Sequence, residues 1–593
     1  MDPSLLHILT RLTLQAIENL YRFELSESDV SFQPTRKEFT GDITLVIFPL
    51  LRYSKKSPEQ TGHDIGEYIK NHVEEITSYT VIKGFLNFAM SDAYWLSCLE
   101  EICDNQAFGL ASPKQKRVVV EFSSPNTNKP LHLGHVRNNV LGYSLSEILS
   151  AAGYDVIRAC LINDRGIHIS KSMIAWEKFG DGETPERSGL KGDHLVGKYY
   201  VLFEKEYRKQ IAELVASGLS DEGARKSAPL IIEAQVMLQR WEAKDPAVLD
   251  LWKMMNAWVY AGFEQTYHRL GIHFDKFYYE SDTYLLGKDI IAAGLKKGVF
   301  YRRDDGSVWI DLREQGLDEK LVLRADGTSV YITQDLGTAE LKFRDFHMDE
   351  SVFVVGNEQD YHFKVLFLIL DKLGEPWVKK QFHMSYGMVD LPGGKMKSRE
   401  GTVVDADELM DEMLTTSRAK TEELGKAGEF SEAEKENLYR QLGMGALKFF
   451  LLRVDPRKRL LFDPLESIDF QGTTGPFVQY SYARIRSILR KTAMVRPWKG
   501  VDHRLNEDER NVIRQLFAFR ETVQEAASEM RPDIVASYLY ELARLYNRFY
   551  HEHQVLVADD ERLQQFRLNL CLQTSLILRR GMSFLGIEVP EQM

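Results

Sequence analysis

Arg117-Val118-Val119-Val120-Glu121-Phe122 is a β-branched run, the composition of a strand buried in a parallel sheet. After two serines comes Pro125-Asn126-Thr127-Asn128-Lys129-Pro130-Leu131-His132-Leu133-Gly134-His135-Val136-Arg137, in which the strand gives way to a helix. That helix carries Val140, Leu141, Leu145, Ile148 and Leu149 on one face, and Gly153 is its stop. Asp155 to Ile162 reads as the next strand, so the three elements form a βαβ unit, right-handed by default.

Working outward, Met1 to about Ala111 reads as a separate α+β module. It has a helix from Leu5 to Tyr21, a strand from Ile43 to Phe48, a helix ending near His72, and an alternating edge strand over Ile82 to Phe88. Residues 180–275 form a charged, mostly helical insertion. A second β-rich half follows, with Val352-Phe353-Val354-Val355 as its clearest strand and a helix from Tyr361 to Leu373. Beyond Phe470 the chain is nearly all helix, the best of it over Asp533 to His553. The expected class is α/β: a Rossmann-type domain over 113–460, an α+β module over 1–112, and an all-α helical domain over 461–593.

Composition sets bounds. A chain of 593 residues has room for about four units of ~150 residues. No apolar run reaches the ~20 residues that cross a bilayer, and MDPSLLHILTRL lacks a basic leader with a cleavage site. No membrane is therefore expected. Cys98, Cys103, Cys160 and Cys571 are scattered without a CxxC pair, which excludes a cysteine-rich zinc knuckle and fits a reducing cytoplasm. The net charge of −12 does not favour a polyanionic partner, and local basic faces still permit one.

A strand-to-helix turn offers free N–H groups and the positive end of a helix dipole, a natural phosphate site. Gly134 lets a flat ring approach the backbone, while His132 and His135 are donors three residues apart that can steady developing negative charge. The alternatives are a metal pair or two surface histidines, and no third ligand stands nearby in sequence. Far downstream, Gly393-Gly394-Lys395-Met396-Lys397-Ser398-Arg399 suits a departing pyrophosphate. Together the two elements point to nucleotidyl transfer on ATP.

HLGH and KMKSR resemble the HIGH and KMSKS signatures of class I aminoacyl-tRNA synthetases. More narrowly, SSPNTNKPLHLGHVRNN, ADGTSVYITQDL, VVGNEQDYHF, GPFVQYSYARI and YLYELARLYNRFY together resemble the arginyl-tRNA synthetase family, and GFLNF extends the likeness into the N-terminal module. The resemblance implies ligation of L-arginine to tRNA(Arg) through an arginyl-adenylate. His132, His135, Lys395, Lys397 and Arg399 form the implied catalytic set. KMKSR has its second lysine one position early. Either Lys395 or Lys397 is then the reactive-loop lysine, and Lys-Ser-Arg before Glu400-Gly401-Thr402 favours Lys397.

A guanidinium needs planar acceptors, which carboxylates supply in pairs. The resemblance assigns the guanidinium to Tyr331, Asp335 and Glu280, and the amino-acid end to Ser124, Asn126 and Gln359 with Glu121 nearby. Gly134, Gly356 and His362 join the histidines and Lys397 in the adenosine and phosphate pocket. Mg²⁺ is expected to arrive with ATP, and a monomer is expected. The C-terminal helices resemble the DALR anticodon-binding domain, with Tyr480 and Met593 as anticodon-loop contacts. Arg36, Lys37, Lys55 and Lys56 are candidates for the tRNA elbow. The nearest rivals are other class I synthetases: cysteine- and methionine-type enzymes commonly carry zinc-binding cysteines, absent here, and valine-type enzymes a large editing insertion. A non-catalytic relative would have lost the histidines or loop lysines.

Overall fold

The computed structural model describes residues 3–36, 38–375, 380–391, 404–425, 430–492, 494–500, 503–557 and 560–593. At its centre five strands run parallel in the order Gln381–Tyr386, Glu350–Gly356, Arg117–Glu121, Asp155–Ile162, Lys276–Tyr279. The chain starts at the middle strand, builds outward on one side to Lys276–Tyr279, then returns to build the other. That is a doubly wound sheet, and a crevice opens at the carboxyl ends of the strands where the winding reverses. Val118, Val119 and Val120 are wholly buried, as their β-branched run predicts.

The helix Leu133–Ala151 packs behind the middle strand, and Val140, Leu141, Leu145, Ile148 and Leu149 are all buried. Gly142 sits where a Cβ would fall 2.3 Å from the Phe122 ring, so only glycine lets the helix approach so closely. Tyr331–Phe346 crosses nearby and brings Lys342 Nζ to 2.8 Å from Glu121 Oε2, with the lysine side chain 1% exposed. The ammonium also lies 4.0 Å from the centre of the Phe353 ring. This buried pair joins the middle strand to a helix residue 221 positions later in sequence.

Before the sheet stands a four-stranded antiparallel sheet, ordered Phe32–Pro34, Ile43–Val46, Phe85–Met90, Ile76–Ile82, with the helices Pro3–Tyr21 and Pro58–Lys70. Here the expected edge strand over Ile82 to Phe88 is corrected. That stretch is a hairpin, and Phe85–Met90 is a central strand paired on both sides. Lys83 and Gly84 both take positive φ, 50° and 78°, the two-residue turn whose twist suits a hairpin. Alternation alone continues through such a turn, so it did not show the break.

The insertion is helical, chiefly Gly192–Ala216, Pro229–Glu242 and Pro246–Arg269. The C-terminal helices are Gly475–Arg490, Glu507–Phe517, Phe519–Ser528, Pro532–Glu552 and Glu561–Phe584. The N-terminal unit docks on them: Arg510 pairs with Asp92, Arg514 with Asp42 and Arg520 with Glu101, while Arg580 donates to the carbonyls of Gln106 and Phe108. No helix among the described residues is long and apolar enough to cross a membrane.

Replacing Lys342 by Met strands the Glu121 carboxylate in the core and is expected to cost about 3–5 kcal/mol of stability. Urea denaturation should show the loss, and the double variant Glu121→Gln/Lys342→Met should recover most of it.

Candidate active site

A cleft of about 510 Å³ opens at the reversal point, lined by Ser123, Ser124, His132, Gly134, His135, Asn138, Gly356, Glu358 and Tyr386 among others. The two histidines are built into the start of the helix Leu133–Ala151. His132 is its N-cap, and its Nδ1 accepts from the Gly134 N–H at 3.1 Å. His135 Nδ1 reaches back to accept from the His132 N–H at 3.2 Å. Each ring therefore carries its hydrogen on Nε2, an assignment that follows from the hydrogen-bond network. Burial pushes the His132 pKa down to about 4, and Lys129 adds to the effect. Burial, then His132 and Lys129, hold His135 well below its ordinary value. Both rings are neutral donors at pH 7. Gly134 serves His132 as much as any ligand, since a Cβ there would lie 3.0 Å from the His132 ring.

The backbone beside the cleft is strained. Ser123 and Ser124 take φ of 76° and 45°, unfavourable for residues with a Cβ and typical of functional turns. Asn138 holds this turn, accepting from the Ser123 N–H and donating to the Val354 carbonyl and the Tyr386 hydroxyl. It thus spans the reversal point between two strands. Arg137 is wholly buried with three backbone carbonyls as partners, those of Met388, Pro456 and Lys458. Burial lowers its pKa to about 10.

A second, acidic group lies further along the same carboxyl edge. Asp164 follows the strand Asp155–Ile162, and Glu280 follows Lys276–Tyr279. Asp164 is 1% exposed and accepts from the Ser281 N–H, the Ser281 hydroxyl and the Tyr260 hydroxyl. Burial raises the pKa of Glu280; Arg165 opposes that rise, while Asp164 and Asp335 add to it. Three carboxylates thus share one field with Arg165, whose own guanidinium already pairs with Glu242 and lies 4.0 Å over the Tyr284 ring. Such a group suits a cationic ligand.

Several expected residues sit differently. Glu121, expected near the amino-acid end, has its charge met by Lys342 inside the core. His362 is not among the residues lining the cleft, and its Nε2 lies 2.6 Å from Asp335 Oδ2. Ser124 and Gly356 line the cleft, whereas Asn126 and Gln359 are exposed and are not among its lining residues. Tyr331 is 79% exposed at the first turn of its helix, one turn before Asp335. Lys395, Lys397 and Arg399 lie outside the described residues, as does Lys37. Sequence reasoning missed Asn138, Tyr386, Glu358 and Asp164. Asp164 had a signal, since a charged residue just past a parallel strand is where such sheets bind ligands.

Among the described residues, Asp193, His194 and Asp407 form a potential metal-ligating group. Lys191 already occupies it, with its ammonium 3.1 Å from Asp193 Oδ2, 2.6 Å from Asp407 Oδ2 and 2.5 Å from Thr266 Oγ1. These residues therefore suit an internal ammonium rather than a metal ion. In the C-terminal region Tyr480 and Met593 are half-buried against one apolar cluster with Leu438, Leu442, Phe430 and Phe470. At the N-terminal unit Lys56 pairs with Asp64 at 2.6 Å and Arg36 lies over Phe85.

Residues 99–463 match the family described as tRNA synthetases class I (R), catalytic domain, and residues 478–593 match the DALR anticodon binding domain. The arginine–tRNA ligase of Bacteroides thetaiotaomicron is 51% identical over 588 residues, covering 98% of each chain. That of Amoebophilus asiaticus is 54% identical over 591 residues, covering 98% of this chain and 99% of its own. The solved arginyl-tRNA synthetase of Thermus thermophilus matches with a TM-score of 0.80 over 99% of this chain and 100% of that one, at 25% identity. With a neutral histidine pair at the reversal point, an acidic group beside it and full-length likeness of this degree, the chain belongs to the class I arginyl-tRNA synthetase family.

Proposed function

We propose that this chain is an arginine–tRNA ligase that first joins L-arginine to AMP and then passes it to tRNA(Arg). The observation that carries this reading is the division of one carboxyl edge into a donor half and an acceptor half. His132 and His135 present Nε2–H donors at a helix start, where phosphate is favoured. Glu280, Asp164 and Asp335 present acceptors in a common field, where a guanidinium is favoured.

In the first step a carboxylate oxygen of arginine attacks the α-phosphorus, and the bond to the β-phosphate bridging oxygen breaks. Pyrophosphate leaves with that electron pair. The histidines donate to the oxygens that gain charge, and Lys395, Lys397 and Arg399 receive the leaving group. In the second step the 2′-hydroxyl of the tRNA 3′-terminal ribose attacks the carbonyl carbon, the bond from that carbon to the AMP phosphate oxygen breaks, and AMP departs with that electron pair while the hydroxyl proton passes to one of its phosphate oxygens. The chain supplies no nucleophile, so its contribution is positioning and charge stabilisation. Mg²⁺ bound with ATP would offset the charge of its phosphates, and Glu358, a carboxylate lining the cleft, is the residue that would face it.

Ser124, Asn126 and Gln359 serve the amino-acid end, Gly134 and Gly356 the adenosine, and Tyr331 the guanidinium one turn before Asp335. Tyr480 and Met593 form part of the RNA surface. The chain divides into units of 1–112, 113–460 and 461–593, and acts as a cytoplasmic monomer.

Arginine-dependent ATP–pyrophosphate exchange, run with and without tRNA across the twenty amino acids, tests the reading. Exchange supported equally by lysine would overturn the guanidinium assignment. His135→Ala should lower exchange by ~10²-fold or more, as loss of a transition-state donor does. Glu280→Gln should raise KM for arginine about 10- to 100-fold with a smaller effect on kcat, the scale of one charge-assisted hydrogen bond. The histidine pair also makes a pH prediction. The unfolded chain protonates its histidines near 6.5 and folded His132 only near about 4, so acidification through that window removes stability. Labelled His132 should show no ring titration between pH 5.5 and 8 by NMR. A titration near 6.5 would refute the neutral-donor assignment.

A further inference from the structure

The last eight residues have neither helix nor strand, yet they are held at almost every step. Gly586 ends the helix Glu561–Phe584, and its carbonyl accepts from Lys448 Nζ at 2.5 Å; Lys448 is 5% exposed. Glu588 meets Arg440 with both oxygens, at 3.0 and 2.7 Å, and accepts from Gln441 Nε2 at 3.1 Å. The Glu588 carbonyl takes Gln479 Nε2 at 2.7 Å, and the same nitrogen reaches the Gln441 carbonyl at 2.9 Å. Gln479 is wholly buried, and a Cβ at Gly445 would lie 2.5 Å from its amide, so a glycine makes room for it. Glu591 then accepts from the Tyr482 hydroxyl at 2.6 Å and Arg486 Nε at 2.7 Å, while its carbonyl takes Arg490 at 2.6 Å. Two residues later Met593 packs on the cluster that holds Tyr480.

An extended segment whose backbone and carboxylates are met by side chains of two other helices is in a specified position. Each half-exposed ion pair is individually weak. Their order along eight residues, ending at Met593, is what gives them an effect. We infer that Gly586–Met593 is a strap, and that Arg440, Gln479, Glu588 and Glu591 are positioning residues that set Met593 beside Tyr480 for an unpaired RNA loop. The inference rests on the reading of Tyr480 and Met593 as RNA contacts. Lys448 anchors the base of the strap, and the partners on Glu588 and Glu591 fix its course.

Aminoacylation of full-length tRNA by the intact chain tests this. Glu588→Ala/Glu591→Ala should raise KM for tRNA by about 10-fold, with kcat changed less than about twofold. KM for arginine in exchange, at saturating tRNA, should stay unchanged. Arg440→Ala should raise KM for tRNA by itself, and Arg440→Ala/Glu588→Ala should be no worse than Glu588→Ala, because both substitutions remove one pairing. Unchanged KM for tRNA in the Glu588→Ala/Glu591→Ala chain overturns the strap. So does a parallel rise in both KM values with a lowered melting temperature, which is general destabilisation. A chain ending at Gln592 separates the two readings. If its KM for tRNA is normal, the Met593 contact fails and the strap with it; if it rises while the Glu588 and Glu591 variants remain normal, the strap alone fails.

Discussion

The molecule depends on the parallel pairing of Arg117–Glu121 with a neighbour on each side. Its register against Glu350–Phe353 and against Asp155–Ala159 puts the carboxyl ends of all three strands at one edge. Because the winding reverses there, the chain leaves these strands toward opposite faces and cannot close the gap between them. The turn at Ser123 and Ser124 is the local consequence. Two residues with a Cβ hold positive φ there, and Asn138 bridges to Val354 and Tyr386 to keep them so. The ion pair of Glu121 with Lys342 secures the same strand from its other face.

Along that edge, electrostatics sorts the ligand. The histidine half offers neutral donors and a helix start; Arg137 lies close behind, but its guanidinium is aimed at three carbonyls. The other half does the reverse. Asp164 is buried and accepts three hydrogen bonds, so it stays in place, while burial, and then Asp164 and Asp335, disfavour the ionisation of Glu280, which a cation beside it would favour. Arg165 is drawn aside by Glu242 and Tyr284 and does not fill that role itself.

The outer units share one continuous apolar core with this centre, Phe108 meeting Phe517 at 6.0 Å between ring centres, and polar contacts add to it. The N-terminal unit meets the C-terminal helices through Asp92, Asp42 and Glu101, and the carbonyls of Gln106 and Phe108 bind Arg580. Lys191, Asp193, Asp407 and Arg269 tie the helical insertion to the helix Ala406–Glu423. That helix follows Val404, which accepts from the Leu133 N–H, so the insertion is linked to the histidine turn through three residues of backbone.

What was local in the chain was legible in its residues. The valine run marked the middle strand, the spacing of Val140 to Leu149 marked the helix face, and the histidine turn marked the start of that helix, because strand and helix periods repeat over a few residues. The hairpin at Lys83-Gly84 was hidden, since alternation continues through a two-residue turn. Partner choice was not legible at all. Nothing near Glu121 in sequence names Lys342, nothing near His362 names Asp335, and the histidine tautomers depend on which backbone N–H each ring caps. Those outcomes belong to tertiary packing: a buried charge or polar atom must find a partner in space, and only the folded chain decides which distant residue arrives there.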